Sequence, residues 1–301
     1  MTPTQTTKES KSKNTKHSNL LWLASFVSFV IVFASFVVAF QPRAQRIISL
    51  VPALTEMLYA VGAGPQVVAV SSYDEYPPEV TALPRVGALI DPDTERIISL
   101  KPDLVITYGS QVDLQAQMKR AAIPSFDYRH GGLSHILVTM KELGVRTGHV
   151  TEADQAVAAI ESRLAAVRAN VAGKRRPRIL LVFSREPRTL RNIYVSGGRG
   201  FLHEMLVIAG GENVFSDIDK ESVQVSTETI LARAPEVILE LRPKEIPAGQ
   251  PMRDELASWS RLASVPAVRN KQLLFISGHA VTVPGPRVAD SVARMAKALH
   301  P

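Results

Sequence analysis

Thirteen residues, TERIISLKPDLVI (94–106), return as TETILARAPEVIL (227–239) at a constant offset of 133. Both copies carry Thr-Glu, an isoleucine, a proline at the same place, an acidic residue after it and then a β-branched apolar run. A fainter pair, TEMLYAVGAG (55–64) and HEMLVIAGGEN (203–213), accompanies them. A chain that repeats a helix-then-strand unit in this way is constrained to two like α/β halves. Between the copies lies TEADQAVAAIESRLAAVRANVAG, in which Ala153, Val157, Ile160, Leu164, Val167 and Val171 fall at steps of four and three. That spacing makes one apolar stripe on a long helix, with Thr151 as N-cap and Gly173 as stop. At 1.5 Å per residue the rod measures about 33 Å. The expected architecture is therefore α/β, with lobes at 42–148 and 174–301, parallel-type sheets, and a stiff connecting helix at 149–173.

The pentamer RIISL occurs twice, at 46–50 and 96–100, in two different roles. The first copy runs into VPALTEML and reads as an opening strand. The second follows Asp93 and Glu95 and ends at Lys101-Pro102, so it reads as the last turns of a helix, stopped because proline disfavours helix in the residue before it. Asp93 and Ser226 are matched N-caps, which places Glu95 and Glu228 near the second position of equivalent helices.

The ends of the chain add a second constraint. Residues 20–40, LLWLASFVSFVIVFASFVVAF, carry no charge and are long enough to cross a hydrocarbon core of about 30 Å. The preceding tail, 1–18, holds Lys8, Lys11, Lys13 and Lys16 against Glu9, which orients the N-terminus to the cytoplasm and the remainder outside. The expectation is a transmembrane anchor or signal segment at 19–41, with an uncleaved anchor preferred because no clean cleavage site follows. The net charge of +7 is otherwise dispersed, and no basic run or zinc-finger spacing points to nucleic acid. The absence of cysteine excludes disulfides, thiolate metal sites, thiol nucleophiles and a lipid-modified cysteine.

No catalytic constellation emerges. His203-Glu204 opens like a zincin helix, but Val207 stands where the second histidine is needed. No nucleophile elbow is present, and the seven histidines show no metal-ligand spacing. The suggestive residues are aromatic. Tyr73 and Tyr76 follow the strand QVVAV, Tyr108 ends PDLVITY, Tyr128 with Arg129 and His130 closes a short strand, and Tyr194 precedes VSGGRG with Arg199. His279 sits in a glycine-bearing turn after a strand. Ligands of open α/β sheets bind beyond strand C-termini, and tyrosine offers an apolar face with a polar tip. Ligand binding is thus favoured over catalysis, and an exported α/β enzyme or a ligand-free interaction module are the readings of another class.

The stretches RIISLVPALTEMLYAVGAG, VVAVSSYDEYPPEV and VGALIDPDTERIISLKPDLVI, with YVSGGRGFLHEMLVIAGGENVF and VSTETILARAPEVIL, resemble the cobalamin and ferric-chelate substrate-binding proteins of ABC importers. The resemblance spans nearly everything from Arg43 to Pro301 and is nearest to cobalamin binders through VSSYDEYPP. It implies two Rossmann-like lobes on a rigid helix, a corrinoid ligand with haem or a ferric siderophore as alternatives, and no cofactor. It further implies a permease dimer with ATPase subunits as partner, docked through Glu95 and Glu228. Tyr73, Tyr108 and Tyr194 match or neighbour aromatics of cobalamin binders. Leu89 and Ser222 stand where such binders carry tryptophans, and His279 where they carry an aspartate.

Overall fold

The computed structural model describes residues 43–244 and 249–301. The apolar segment 20–40 lies outside them, and among the described residues no helix is long and apolar enough to cross a membrane.

The first half is built on β1 (Ile47–Ser49), β2 (Val67–Val70), β3 (Leu104–Tyr108) and β4 (Ser125–Tyr128), ordered β2-β1-β3-β4 with every pair parallel. Helices α1 (Pro52–Ala60), α2 (Thr94–Ser99) and α3 (Val112–Arg120) make the crossovers, and α4 (Leu133–Thr147) leads out of the sheet after β4. Strands β1–β3 are largely buried on both faces and read as mainly apolar runs for that reason, whereas the edge strand β4, SFDY, alternates and leaves Asp127 exposed. RIISL splits as expected, into β1 and α2.

The second half carries β5 (Arg178–Ser184), β6 (Ile193–Ser196), β7 (Glu212–Asn213), β8 (Ser222–Val225), β9 (Val237–Arg242) and β10 (Leu273–Ser277). Its order is β10-β9-β5-β6-β8, with β7 also on β5. This sheet departs from the parallel expectation: β6 runs antiparallel to both β5 and β8. Residues 185–192 form a short link that folds back on itself, with Glu186 N–H bonded to Arg191 O at 3.1 Å. A link this short permits a hairpin and not a parallel crossover.

The internal repeat extends to single hydrogen bonds. Asp93 and Ser226 each accept a backbone N–H three residues on, at 2.9 and 3.3 Å, and so cap α2 and α7 (Thr227–Arg233). At the far ends of these helices, the Arg46 guanidinium donates to Leu100 O and Lys101 O, and the Arg178 guanidinium to Arg233 O and Ala234 O. Both arginines stand at the start of the central strand of their sheet. The acidic residue after each proline plays the same part in both halves. Asp103 accepts from Arg46 N and Glu236 from Arg178 N, each at 2.9 Å. Lys101 and Ala234, the equivalent turning residues, both take positive φ.

Between the sheets runs α5 (Val150–Val171). It starts at Val150 rather than after Thr151, because Gly148 in the left-handed region ends α4 and turns the chain at once. Ala153, Val157, Ile160, Leu164 and Val167 are buried, and Val171 packs partly buried beside them. The stripe rests on α1 and α4 from one half, and on α6 (Gly200–Ile208) and α10 (Val288–Leu299) from the other. One apolar cluster consequently runs from Ile47 and Leu54 through α5 to Leu206 and Val292, and residues 44–301 form a single compact unit. The remaining helices, α8 (Gln250–Trp259) and α9 (Pro266–Arg269), cover the second sheet.

Candidate functional site

The strands β1–β4 end on one side, and the loops that follow them meet residues of the second half at two places. At the first, Arg287 from the start of α10 reaches Glu56 on α1, with Nε at 2.8 Å and Nη2 at 2.5 Å from the carboxylate. Glu56 is 3 % exposed, and a buried carboxylate is tolerable only with such a fork-shaped cation beside it. The same guanidinium lies over the Tyr76 ring, 3.9 Å from its centre, a cation–π contact. His279 completes the group, its Nδ1 3.8 Å from Glu56. The Tyr73–Tyr76 loop is held from behind by Asp74, which accepts from Ser71 N and Ser71 Oγ, and by Arg85, which donates to Ser71 O and Asp74 O. Burial pushes the Asp74 carboxyl up. Tyr73 itself is 67 % exposed.

At the second place, Tyr108 Oη and His130 Nδ1 lie 2.8 Å apart, and His130 Nε2 is 3.2 Å from Glu221 of the second half. The tautomer that satisfies both contacts has the phenol donating to Nδ1 and the Nε2–H donating to the carboxylate. Burial raises the Tyr108 pKa, and its bond to His130 opposes this. Glu221 folds over the entrance of α6 beside Gly200, whose φ of +82° no side chain adopts readily. A pocket of about 210 Å³ opens here, lined by His130 from the first half and by Phe183, Arg199, Phe201, Ser222 and Thr282 from the second.

The sequence-predicted residues thus separate. Arg199 lines this pocket, whereas Tyr108 reaches it only through His130, which stands between Tyr108 and Glu221. Tyr194 is set back: it lies within the antiparallel β6, not at the end of a parallel strand, with its ring 6.4 Å from Phe183 and its hydroxyl on Gln224. Tyr128 is buried behind Tyr108, ring centres 6.3 Å apart, and burial raises its pKa strongly. Arg129 is exposed and reaches back toward Gly109 O at 3.5 Å. Tyr73 and His279 belong to the Glu56–Arg287 side. Arg199 pairs with Asp219 at 2.9 Å. Glu95 and Glu228 each stand in the first turn of their helix, Glu95 exposed and Glu228 with its carboxylate open to solvent. Bonds from its own N–H, then from Ser226 and Thr227, hold the Glu228 carboxyl below its usual range.

Glu56, Arg287 and Glu221 escape sequence reasoning, since Glu56 and Arg287 stand 231 residues apart. Glu204, which looks like half a zincin motif, instead caps a helix in the other half of the molecule. Its carboxylate accepts Leu133 N at 2.8 Å, at the start of α4. A Cβ on Gly132 would collide with it. Among the described residues no group of three or more His, Cys, Asp or Glu could hold a metal ion.

The His279 contact has a pH signature. The Glu56 carboxylate beside it raises the His279 pKa, opposed by partial burial and by Arg287 and assisted by Glu75. Stability from a raised histidine is fully present below its ordinary pKa near 6.5 and is lost as pH rises through the folded value. The denaturation midpoint of the wild type should therefore fall relative to His279→Gln as pH rises above about 6.5. Parallel curves over that range would show that the contact contributes nothing.

Two α/β halves fixed on one helix, with aromatic and charged loops facing each other, are the architecture of a binding protein, and the chain belongs to the periplasmic binding protein family, whose profile matches residues 47–279. A vitamin B12-binding protein of Salmonella typhimurium is 34% identical over 227 residues, covering 75% of this chain and 81% of that protein. The crystal structure of a periplasmic vitamin B12 binding protein of Vibrio cholerae matches with a TM-score of 0.71 at 28% identity, over 85% of this chain and 96% of that one. A periplasmic haem-binding protein from Roseiflexus matches with a TM-score of 0.71 at 25% identity, over 85% and 98%.

Proposed function

We propose that the protein is an extracytoplasmic receptor that takes cobalamin or a related corrinoid between lobes 42–148 and 174–301 and delivers it to an ABC importer. It is not an enzyme. The observation that carries the ligand assignment is the 34% identity to a vitamin B12-binding protein across most of both chains. The site supports this reading: Tyr73 presents a free aromatic face, and His130, backed by Tyr108, offers a polar ring and Arg199 a charge at a largely apolar pocket. Residues 19–41 serve as the membrane anchor or export signal. Glu95 and Glu228 dock on the permease dimer, which works with its ATPase subunits.

Haem is the second reading, favoured by the Tyr108–His130 pair at the cleft and by the likeness to a haem-binding protein. In the cobalamin reading Tyr73→Ala removes a stacking face worth roughly 0.5–1.5 kcal/mol beyond buried area. Cyanocobalamin affinity should drop about tenfold, measured by quenching of intrinsic fluorescence. Unchanged affinity would remove Tyr73 from the site.

A further inference from the structure

Away from the loops that face each other across the cleft, helices α4, α5 and α6 enclose a groove of about 890 Å³, within the size range of small-molecule sites. Its floor is apolar, formed by Leu133, Leu137, Leu164, Val207 and Ile208. Val207 remains 38 % exposed there. One end is cationic: Arg168, Lys174 and Arg176 line it. Arg176 is held in place by Val207 O at 3.2 Å and Gly211 O at 2.9 Å. Arg168 and Lys174 have no acidic partner among the described residues. The other end holds Ser134, Glu161 and Glu204, with Glu204 engaged on Leu133 N.

His203 adds a directed donor. Its Nδ1 faces the Asn213 amide nitrogen at 3.3 Å. That nitrogen can only donate and already serves Ser196 O and Gly197 O, so a protonated Nδ1 would set two donors face to face and the imidazole proton is assigned to Nε2. Burial lowers the His203 pKa, which keeps the ring neutral. From Glu161 to Val171 the wall on α5 is about 15 Å long.

We propose that this groove binds an amphiphilic anion with an extended apolar body and one carboxylate head, the head placed among Arg168, Lys174 and Arg176. The body lies on Leu137, Leu164 and Val207, and the His203 Nε2–H serves as a further donor. The occupant would touch α4 of one half and α6 of the other at once, so its binding stiffens the join between them. The site is separate from the cleft and independent of which ligand the cleft takes.

The test is photolabelling of the full-length protein in bilayer nanodiscs with a diazirine-tagged decanoate, followed by peptide mapping. Label should concentrate in residues 133–137, 161–176 and 203–210 and be competed by plain decanoate. Arg168→Gln/Lys174→Gln should reduce it roughly tenfold, as the loss of charge-assisted bonds implies. Arg168→Glu/Lys174→Glu should reduce it further, and the equivalent tagged decanol should label weakly in the wild type. Label scattered over the surface, equal labelling by the alcohol, or labelling indifferent to both double variants would overturn the proposal.

Discussion

Reversing the two carboxylates proposed to dock on the permease, Glu95→Arg with Glu228→Arg, is expected to abolish ligand uptake while leaving ligand affinity unchanged. Each glutamate sits in the first turn of a short, capped helix, and the two are related by the internal repeat of 133 residues. A carboxylate in a first turn stabilises its helix by about 0.3–1 kcal/mol through the dipole. That accounts for either residue alone. It does not require a glutamate at the same position of both repeats, whereas the proposed docking on a permease dimer would. The measurement pairs uptake of labelled cobalamin in cells with titration of the purified variant. Retained uptake would exclude docking through these residues. Lost affinity would assign them a folding role, because both lie on helices that lead directly into the interior strands β3 and β9.

The largest effect on stability is expected at Arg185. Its side chain is fully buried at the end of β5, with Nε 3.0 Å from Glu240 and Nη2 2.5 Å from Glu255. Arg242 also pairs with both carboxylates, and the Trp259 indole N–H donates to Glu240 at 3.1 Å. Two cations and two anions thus balance in a site almost without water. Arg185→Met leaves two buried carboxylates sharing Arg242, and removing one member of such a group costs about 3–5 kcal/mol. Chemical denaturation should show this as a large drop in midpoint. Arg185→Lys should recover little, since an ammonium cannot span both carboxylates as the guanidinium fork does. A drop below about 1 kcal/mol would mean that water or rearrangement relieves the carboxylates.

What was legible in the sequence was whatever repeats at short range. The stripe of α5 declares itself by its period, and its buried residues are those the spacing selects. The capped helices at Asp93 and Ser226 declare themselves by local composition, as does the divided use of RIISL. The repeat also foretold that an acidic residue follows each proline, though not that Asp103 and Glu236 bind the backbone entering β1 and β5. What stayed hidden depends on pairing across the chain. Nothing near Ile193 announces that β6 runs antiparallel, so Tyr194 was expected at a strand end and lies inside a strand. The contacts of Glu56 with Arg287 and of His130 with Glu221 join residues that have no common pattern. Tyr128 looks equivalent to Tyr108 in sequence. Only the fold of β3 beside β4 places one at the cleft and the other behind it.

The central claim, a corrinoid receptor, is tested most directly by equilibrium titration of the full-length protein with cyanocobalamin, haem and a ferric hydroxamate under one set of conditions. The structure and its relatives predict saturable one-to-one binding of cyanocobalamin, tighter than either iron compound. Tighter binding of haem, or binding of none of the three, would contradict it.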